Sequence, residues 1–344
     1  MTKLVKIQIK IAALLILVGG FFIFFIYYQI SQNSDNHTLI DNNQNEEIFY
    51  NKLDGTKTSK ENQDVSPIAI IIENHVDARP QSGLSKARIV YEILTESDIT
   101  RFLAIYDLSE NLEKIGPVRS ARPYFIDLAS EYRAIYVHSG GSSEALNRLR
   151  NDEVVFNLDE FFGYNSGYFW RDDKRYAPHN LYTSSELLSQ AKNNYDIVKF
   201  SDFTSWKFKD GKSESVQNYD IKINYSEDTS YQVIWKYLKD VNQYERWQNN
   251  NRHIDDDGSI IEADNIIIQY VQTKILDEIG RKDIKLIGTG KLIVFRDGIT
   301  IEGSWQKKDA SSRTMFYDED NNEIELNRGK IWIEVVPTDM EISY

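Results

Sequence analysis

Four short segments in the first half of the chain carry most of the side chains that could do chemistry. They are residues 74–80, 119–123, 138–142 and 177–180, and they hold three of the five histidines together with arginine, asparagine and serine. Guanidinium groups form paired hydrogen bonds with phosphate and carboxylate, and imidazole exchanges protons near neutral pH. The segments therefore predict a site for an anionic ligand, with or without catalysis.

The segment 138–142 gives the strongest physical signal. A predicted strand ends at His138, Gly140 and Gly141 let the backbone approach a ligand, and a helix is predicted directly afterwards. A helix start offers free N–H groups to an anion. Arg119 and Arg122 precede a second predicted helix, and their guanidinium groups could bind the same ligand.

The predicted ligand-binding set joins these segments to one arginine of a neighbouring strand. It consists of Asn74, His75, Arg79, Arg101, Arg119, Ser120, Arg122, His138, Ser139, Gly140, Gly141, Ser142, His179 and Asn180. Within it, His138 and His179 are the candidate catalytic bases. An alternative of equal weight is that Arg119 and Arg122 pair with internal carboxylates and that the two glycines form only a tight turn. The carboxylates considered are Glu92, Glu96 and Asp127.

Most familiar enzyme and cofactor classes lack their signatures here. No G-x-S-x-G, P-loop or dinucleotide fingerprint occurs, and the absence of cysteine excludes thiol catalysis and cysteine-based metal sites. A zinc site from His75, His138 and His179 is conceivable, but these histidines lack the close H-x-x-x-H spacing, so no metal is assigned. The net charge of −13 argues against nucleic-acid binding. The sequence identifies no cofactor, which stays unknown.

The elements that must position these segments alternate between strands and helices, which predicts an α/β N-terminal ectodomain over residues 66–208. Short apolar runs predict strands, and residues 97–99 lie between two of them as a hairpin turn. Pro123 marks a helix start. Thr183 and Glu186 form a capping box that predicts another helix to about Asn193.

The rest of the chain, residues 209–344, predicts a mainly antiparallel β (α+β) C-terminal domain. Apolar and polar residues alternate in several runs, and Asp297-Gly298 between two of them is a hairpin signal. Consecutive acidic residues at 255–257 predict an exposed turn rather than a calcium site. Four tryptophans could form a glycan-stacking face, although packing is the favoured interpretation. They are Trp235, Trp247, Trp305 and Trp332.

The first 30 residues predict a cytoplasmic N-terminus and one transmembrane anchor. As a helix, the uncharged residues 11–30 would span about 30 Å, the thickness of a hydrocarbon core. Lys3, Lys6 and Lys10 place the N-terminus in the cytoplasm and the remaining chain outside the membrane. A retained helix is favoured over a cleaved signal peptide, because no A-x-A-like site ends a shorter apolar region. The polar composition of residues 31–65 predicts a linker.

Long segments resemble the YerB-like family of bacterial surface lipoproteins, a domain-of-unknown-function family. In the first half they read ENHVDARPQSGLSKARIVYEILTESDITRFLAIY, IGPVRSARPYFIDLASEYRAIYVHSGGS and APHNLYTS, and in the second half NIIIQ, GRKDIKLIGTGK, RDGITIEGSW and GKIWIEVVP. The resemblance implies a two-domain envelope protein with no established reaction or substrate. Family members are often anchored through a lipidated cysteine, which this chain lacks. The order of a strand, an arginine segment, a helix, a strand and two glycines is also loosely similar to LytR–CpsA–Psr-like phosphotransferases. The acidic metal-binding pattern of those enzymes is missing from this sequence.

These observations support three functional hypotheses. The leading one is a membrane-anchored protein that binds an anionic envelope ligand, a phosphate- or carboxylate-bearing glycan, in an Arg/His/Gly-rich cleft of the α/β domain. The second is an envelope enzyme that uses the same cleft, either a phosphotransferase acting on a lipid-linked glycan precursor or a wall hydrolase. The third is an interaction scaffold that works through an aromatic surface of the β domain.

Overall fold

The computed structural model describes residues 48–60, 66–151, 155–197, 203–211 and 220–344. The predicted transmembrane segment and most of the predicted linker lie outside these ranges. Among the described residues, no helix is both long and apolar enough to cross a bilayer. Residues Ile48–Tyr344 form one compact unit whose sheets take strands from both halves of the chain.

The first half combines short strands with three α-helices in the described ranges. Its strands are β1 (Phe49–Tyr50), β2 (Lys57–Thr58), β3 (Ile68–Glu73), β4 (Ile89–Leu94), β5 (Thr100–Tyr106), β6 (Ile135–His138), β7 (Phe156–Asp159), β8 (Trp170–Arg171) and β9 (Leu181–Tyr182). Its helices are α1 (Pro123–Ser130), α2 (Ser143–Asn151) and α3 (Ser185–Asn194).

The second half is built from strands in the described ranges. They are β10 (Phe208–Lys209), β11 (Asp220–Asn224), β12 (Gln232–Leu238), β13 (Gln243–Gln248), β14 (Asn251–Arg252), β15 (Glu262–Ala263), β16 (Asn265–Val271), β17 (Thr273–Ile275), β18 (Lys282–Ile284), β19 (Gly288–Arg296), β20 (Ile299–Lys307), β21 (Met315–Asp318), β22 (Leu326–Asn327), β23 (Ile331–Pro337) and β24 (Ile342–Ser343). The protein is therefore mostly sheet, with few helices.

A central sheet of ten strands joins the two halves. Its order is β21-β20-β19-β16-β23-β4-β5-β3-β6-β7, and the parallel pairing of β23 with β4 connects second-half strands to first-half strands. A second sheet has the order β14-β13-β12-β11-β24, with β15 also paired to β13. Because the central sheet contains strands from both halves of the chain, each of its faces carries apolar residues from both halves.

The two sides of the central sheet carry separate hydrophobic clusters. Successive residues of a strand point to opposite faces, so Ile70 and Ile72 join one cluster and Ile71 the other. Every residue of β3 is buried, as expected for a strand covered on both faces. Trp332 of the second half packs in the same cluster as Ile70. Each cluster therefore depends on both halves.

Several sequence predictions of the first half are confirmed. β3, β6 and β7 run parallel, and α2 lies in the connection from β6 to β7. β4 and β5 form the predicted antiparallel hairpin through residues 97–99. Helix α1 begins at Pro123, whose fixed φ and missing N–H suit a first helical position.

The capping box predicted at Thr183 is wrong by one residue. Ser184 is the N-cap of α3, and its Oγ accepts a hydrogen bond from the Leu187 N–H at 3.2 Å. Thr183 instead donates its hydroxyl to the Tyr168 carbonyl at 2.9 Å. Two adjacent hydroxyl residues precede this helix, and tertiary contacts decide which of them caps it.

The predicted linker is also wrong for residues 48–60. Leu53 is fully buried in a hydrophobic cluster, and the Asp54 carboxylate lies 3.1 Å from Arg88 Nη1. Few apolar residues occur in this stretch, so its composition gave no sign of burial. Hydrogen bonds to both halves also hold it, because Asn51 Nδ2 donates to Asp107 Oδ2 at 2.6 Å and the Gly329 N–H donates to the Asp54 carbonyl at 2.9 Å.

In the second half, the hairpin signal at Asp297-Gly298 is confirmed by the pairing of β19 with β20. Most pairs there are antiparallel, whereas β16 and β23 run parallel. The acidic turn at residues 255–257 is not fully exposed as predicted. Asp255 is buried, and its carboxylate accepts the Ser85 N–H at 2.7 Å. Burial raises the pKa of Asp255 to about 6.

Candidate functional site

The carboxyl ends of the parallel strands bring the predicted segments to one edge of the central sheet. β3 ends at Glu73, β6 at His138 and β7 at Asp159. Ligands of open α/β sheets bind at this edge, beyond the strand ends. The segment 119–123 runs beside it, because the Ala121 N–H donates to the Gly140 carbonyl at 2.9 Å. All four segments meet at this edge, because His179 Nδ1 of the segment 177–180 lies 2.9 Å from Glu73 Oε2.

The predicted arginines have internal partners. Arg119 Nε lies 2.8 Å from Glu73 Oε1, and Arg122 Nε donates to Glu96 Oε1. Arg101 Nη1 donates to the Ser120 carbonyl at 2.9 Å. The carboxylate alternative thus describes Arg122 correctly, while Arg119 pairs with Glu73, a residue that the sequence argument did not consider.

Three arginines nevertheless have only two carboxylate partners, Glu73 and Glu96. Arg101 Nη2 is 3.8 Å from Glu96 Oε2, the carboxylate that Arg122 also contacts. Burial, and next to it the charge of Arg122, lowers the pKa of Arg101 to about 10. Together with Arg119 and its partner Glu73, these residues form a group of three guanidinium groups and two carboxylates.

Arg79 and Asn74 are held by each other and by the backbone. Arg79 Nε donates to Asn74 Oδ1 at 3.1 Å, and Nη1 donates to the Ser230 carbonyl at 2.7 Å. Asn74 Nδ2 donates to Thr100 Oγ1 at 2.7 Å. Burial lowers the pKa of Arg79 to about 10. Arg79 anchors the segment 74–80 to the second half, and Gln248 Nε2 of the second half donates to Asn74 Oδ1 at 3.3 Å.

The predicted anion position at the two glycines contains a carboxylate of the protein. Gly140 has a φ of +60°, and its N–H donates to Asp159 Oδ1 at 2.8 Å. The Phe161 N–H donates to the same oxygen at 3.2 Å. A Cβ on Gly141 would lie 3.2 Å from the Ala121 Cβ, which explains the second glycine. Ser142 Oγ accepts the Ala145 N–H at 3.2 Å and caps α2.

His138, a candidate base, is buried, and both of its ring nitrogens have hydrogen-bond partners. Its Nδ1 lies 2.8 Å from the Gly140 carbonyl oxygen, and its Nε2 lies 2.7 Å from Asn157 Oδ1. No ring nitrogen is left for a substrate in this arrangement. Ser139 Oγ donates to Glu160, and Asn180 Oδ1 accepts from Arg171 Nη1 at 3.0 Å.

A second group joins three predicted residues to Glu73 and Asp77, which are not in the predicted set, and its two histidines and Asp77 reach solvent. We call it the open cluster, and it consists of Glu73, His75, Asp77, Arg119 and His179. His179 Nδ1 lies 2.9 Å from Glu73 Oε2, so Glu73 contacts both His179 and Arg119. The rings of His75 and His179 stack with centroids 4.8 Å apart and an interplanar angle of 18°. Their side chains are 30% and 18% exposed.

A cleft of about 650 Å³ is lined by Gly140 and contains none of the residues of the open cluster. Phe161 and Phe162 line it and are 73% and 68% exposed. Arg150 also lines it, is exposed, and has no carboxylate partner in the described ranges. Asn157 stands in the lining as well. We refer to this feature as the aromatic cleft.

Sequence reasoning missed the residues of the aromatic cleft. The only available signal was the pair Phe161-Phe162 followed by Gly163, adjacent aromatic residues outside any alternating pattern. The tryptophans singled out in the second half have another role. Trp235, Trp305 and Trp332 are buried, so the packing interpretation is confirmed for these three.

Comparison with known proteins places this architecture in a family. Residues 53–198 match the family described as "Protein of unknown function (DUF3048) N-terminal domain", and residues 221–333 match its C-terminal domain. The chain belongs to the DUF3048 family. The DUF3048 N-terminal domain contains both the open cluster and the aromatic cleft. The family matches therefore divide the chain into two domains, and the predicted resemblance to the YerB-like family is confirmed.

Two DUF3048-related comparisons cover most of the chain. The chain is 34% identical over 291 residues to "Putative lipoprotein YerB" of Bacillus subtilis (strain 168), a match that covers 83% of this chain and 85% of that protein. The crystal structure of the YerB protein from Bacillus subtilis superposes with a TM-score of 0.77 at 33% identity, covering 86% of this chain and all of that one. The fold described above is therefore shared with a solved structure.

Proposed function

We propose that the protein is a membrane-anchored component of the cell envelope that binds a phosphate- or carboxylate-bearing glycan in the aromatic cleft. One observation carries the proposal. Two exposed phenylalanine rings and an arginine without a carboxylate partner in the described ranges line the same cleft. Such a cleft offers apolar surface and positive charge together, the two properties that an anionic glycan requires.

The aromatic rings suit the apolar side of a sugar. A sugar ring presents C–H groups on its faces and hydroxyl groups at its edge, so an exposed ring such as Phe161 or Phe162 can cover a face. The polar groups behind the rings are held in place. Asn165 Oδ1 accepts the Tyr195 hydroxyl at 2.6 Å, and Asn165 Nδ2 donates to the Asp159 carbonyl at 3.0 Å. A lining that is ordered before binding loses less entropy on binding.

The charges near the cleft favour an anionic group. Arg150 is available to form charge-assisted hydrogen bonds with a phosphate or carboxylate. The Asp159 carboxylate in the lining already accepts two backbone N–H groups. Beyond Gly140, the group of Arg101, Arg119 and Arg122 has one more positive than negative charge, which adds to the local positive potential.

The location rests on the lipoprotein name of the Bacillus subtilis relative and on the N-terminal sequence of this chain. We infer a single-pass anchor at residues 11–30, with the N-terminus in the cytoplasm and the DUF3048 domains outside the membrane. A ligand that belongs to the envelope would meet the aromatic cleft there without crossing the membrane.

Variants of the cleft test the proposal. We would purify the full chain in detergent and titrate it with an isolated phosphate-bearing wall glycan by calorimetry. Arg150→Ala should weaken binding at least ~10-fold, because a hydrogen bond to a charged group contributes ~1.5–3 kcal/mol and tenfold corresponds to about 1.4 kcal/mol. Phe161→Ala should weaken it as well, since the aromatic surface is lost.

Matched controls are available outside the cleft. Arg281→Ala removes an exposed arginine of the second half, and Tyr176→Ala removes an exposed aromatic ring that does not line the cleft. Both should bind like the wild type. Equal affinity in all four variants would contradict the proposal.

A second candidate function is an envelope enzyme centred on the open cluster. The supporting observation is that Glu73 contacts His179 at 2.9 Å and Arg119 at 2.8 Å, which orients an accessible imidazole beside a cation. Turnover of a lipid-linked glycan or a wall fragment should then be lost in Glu73→Gln and His179→Ala while calorimetric binding in the aromatic cleft persists. Absence of product with wild-type protein would exclude this candidate for the substrates tried.

A further inference from the structure

We propose that His75, Asp77 and His179 form a binding site for one divalent transition-metal ion of the Zn²⁺ type. One potential ligand atom from each of the three residues lies within 4.8 Å of the other two. The three residues show no close H-x-x-x-H spacing in the sequence, which therefore indicates no metal. The fold supplies the missing proximity by bringing the segments 74–80 and 177–180 together.

The ligand atoms are close enough for side-chain rotation to bring them to a metal. Ligand atoms at about 2.0–2.2 Å from a tetrahedral metal stand about 3.3 Å apart. Asp77 Oδ2 is 3.5 Å from His75 Nδ1, which accepts the Asp77 N–H at 3.2 Å, and the Asp77 side chain is 69% exposed. The two imidazole rings lie almost parallel at 4.8 Å. The in-plane nitrogen lone pairs of two stacked rings do not converge, so the His75 ring and the Asp77 carboxylate must rotate to reach a metal held by His179.

Glu73 holds His179 in the orientation that metal binding requires. Its Oε2 lies 2.9 Å from His179 Nδ1, which leaves the Nε2 of that ring for the metal. A carboxylate behind a histidine ligand fixes the ring and increases its basicity. Glu73 is itself buried and contacts Arg119, and its carbonyl accepts from Gln81 Nε2 at 3.0 Å. The support for the histidine is therefore rigid.

The donor set selects the class of metal. Two imidazole nitrogens and one carboxylate suit Zn²⁺ and its neighbours in the first transition series, whereas Mg²⁺ and Ca²⁺ prefer oxygen ligands. Three protein ligands leave a coordination position for water or for a ligand group. This site is separate from the aromatic cleft, whose lining contains none of the three residues.

The test is a metal titration of the full chain. Protein in detergent would be treated with a chelator, dialysed and titrated with Zn²⁺ by calorimetry, and Co²⁺ would be added separately to record its visible spectrum. We expect one equivalent to bind, with a Co²⁺ spectrum typical of nitrogen and oxygen ligands. Affinity should fall at least ~100-fold in His75→Ala and His179→Ala, and ~10- to 100-fold in Glu73→Gln.

Controls separate this site from other histidines and from the proposed function. His37→Ala, which changes a histidine outside the described residues, and Arg150→Ala in the aromatic cleft should both bind Zn²⁺ like the wild type. Thermal melts without metal would show that the variants fold. Absence of stoichiometric binding by wild type, or equal affinity in folded His75→Ala and His179→Ala, would overturn the proposal whatever the glycan experiments show.

Discussion

Arginine, histidine and glutamate occur together in two regions of the molecule, and the surroundings of these residues differ. One region is the open cluster at the edge of the central sheet. The other, which we call the buried cluster, consists of Glu92, Arg246, His253 and Glu334. Glu92 and Glu334 stand opposite each other on β4 and β23, where the two halves of the chain pair.

The buried cluster is closed to solvent and internally bonded. Arg246 Nη2 donates to Glu92 Oε2, and Arg246 Nη1 lies 2.6 Å from His253 Nδ1. Glu334 accepts the Trp235 indole N–H at 2.7 Å and the Tyr225 hydroxyl at 2.6 Å. Its side chains are therefore positioned to hold the two halves together and cannot reach a ligand.

The open cluster has the same residue types and the opposite accessibility. Asp77 faces solvent, and the rings of His75 and His179 are partly exposed. Residue type alone therefore does not distinguish a structural network from a ligand site. A cluster inside the pairing of two strands is structural, whereas one beyond the ends of parallel strands has side chains left for a ligand.

The largest expected effect comes from breaking the buried cluster. Arg246→Ala leaves Glu92 buried without its cation, and we expect the free energy of unfolding to fall by ~3–5 kcal/mol. Urea denaturation followed by tryptophan fluorescence measures this loss. The control, Lys291→Ala, removes an exposed ion pair with Glu302 and should cost ~0–1 kcal/mol. A similar loss of unfolding free energy in the two variants would contradict the claim that the buried ion pair stabilises the fold more than an exposed one.

A smaller effect should appear in the pH dependence of stability. Burial, and then the charge of Glu92, raises the pKa of Glu334 to about 8, against an ordinary value of 4.5. Between these pH values the folded state binds more protons than the unfolded state, so wild-type stability falls as the pH rises from 4.5 through 8. Glu334→Gln cannot ionise and should lose this dependence.

Relative to wild type, the variant should therefore become progressively more stable as the pH rises from 5 to 9. Urea midpoints measured for both proteins at each pH provide the test. Asp228→Asn, at an exposed carboxyl on the surface, is the control and should show the wild-type pH profile between these values. Parallel profiles for Glu334→Gln and wild type would show that Glu334 is not a protonated buried carboxyl.

The smallest expected effect is on the stability of the open cluster. Without metal, His179→Ala should change the free energy of unfolding by less than ~1 kcal/mol, because the ring is partly exposed and Glu73 keeps its ion pair with Arg119. The same urea measurement applies. A loss as large as that of Arg246→Ala would make the open cluster a structural network and weaken its role in binding.

The sequence predicted local elements better than it predicted charge pairing. The helix start at Pro123 and the hairpin at Asp297-Gly298 depend on local backbone preferences, and both are present. The four chemical segments were also found, because short strands ending in polar residues are visible in the pattern. Local signals of this kind do not require knowledge of which strands become neighbours.

Pairing between distant residues could not be predicted in the same way. Arg119 pairs with Glu73, and Asp255 caps a turn in the first half, because of contacts made only in the folded chain. Burial of Leu53 in a polar stretch has the same origin. Arg150 and Phe161 gave no periodic signal, since a cleft lining follows from packing rather than from spacing along the chain.

A glycan titration distinguishes the edge of the first half, which we propose binds an anionic glycan, from the buried cluster, which stabilises the fold. The full chain in detergent would be titrated with one wall glycan before and after chemical removal of its anionic groups. We predict that removal weakens binding to wild type at least ~10-fold and has a smaller effect on Arg150→Ala. Equal binding of both glycans, or binding of neither, would contradict the account and favour an interaction scaffold.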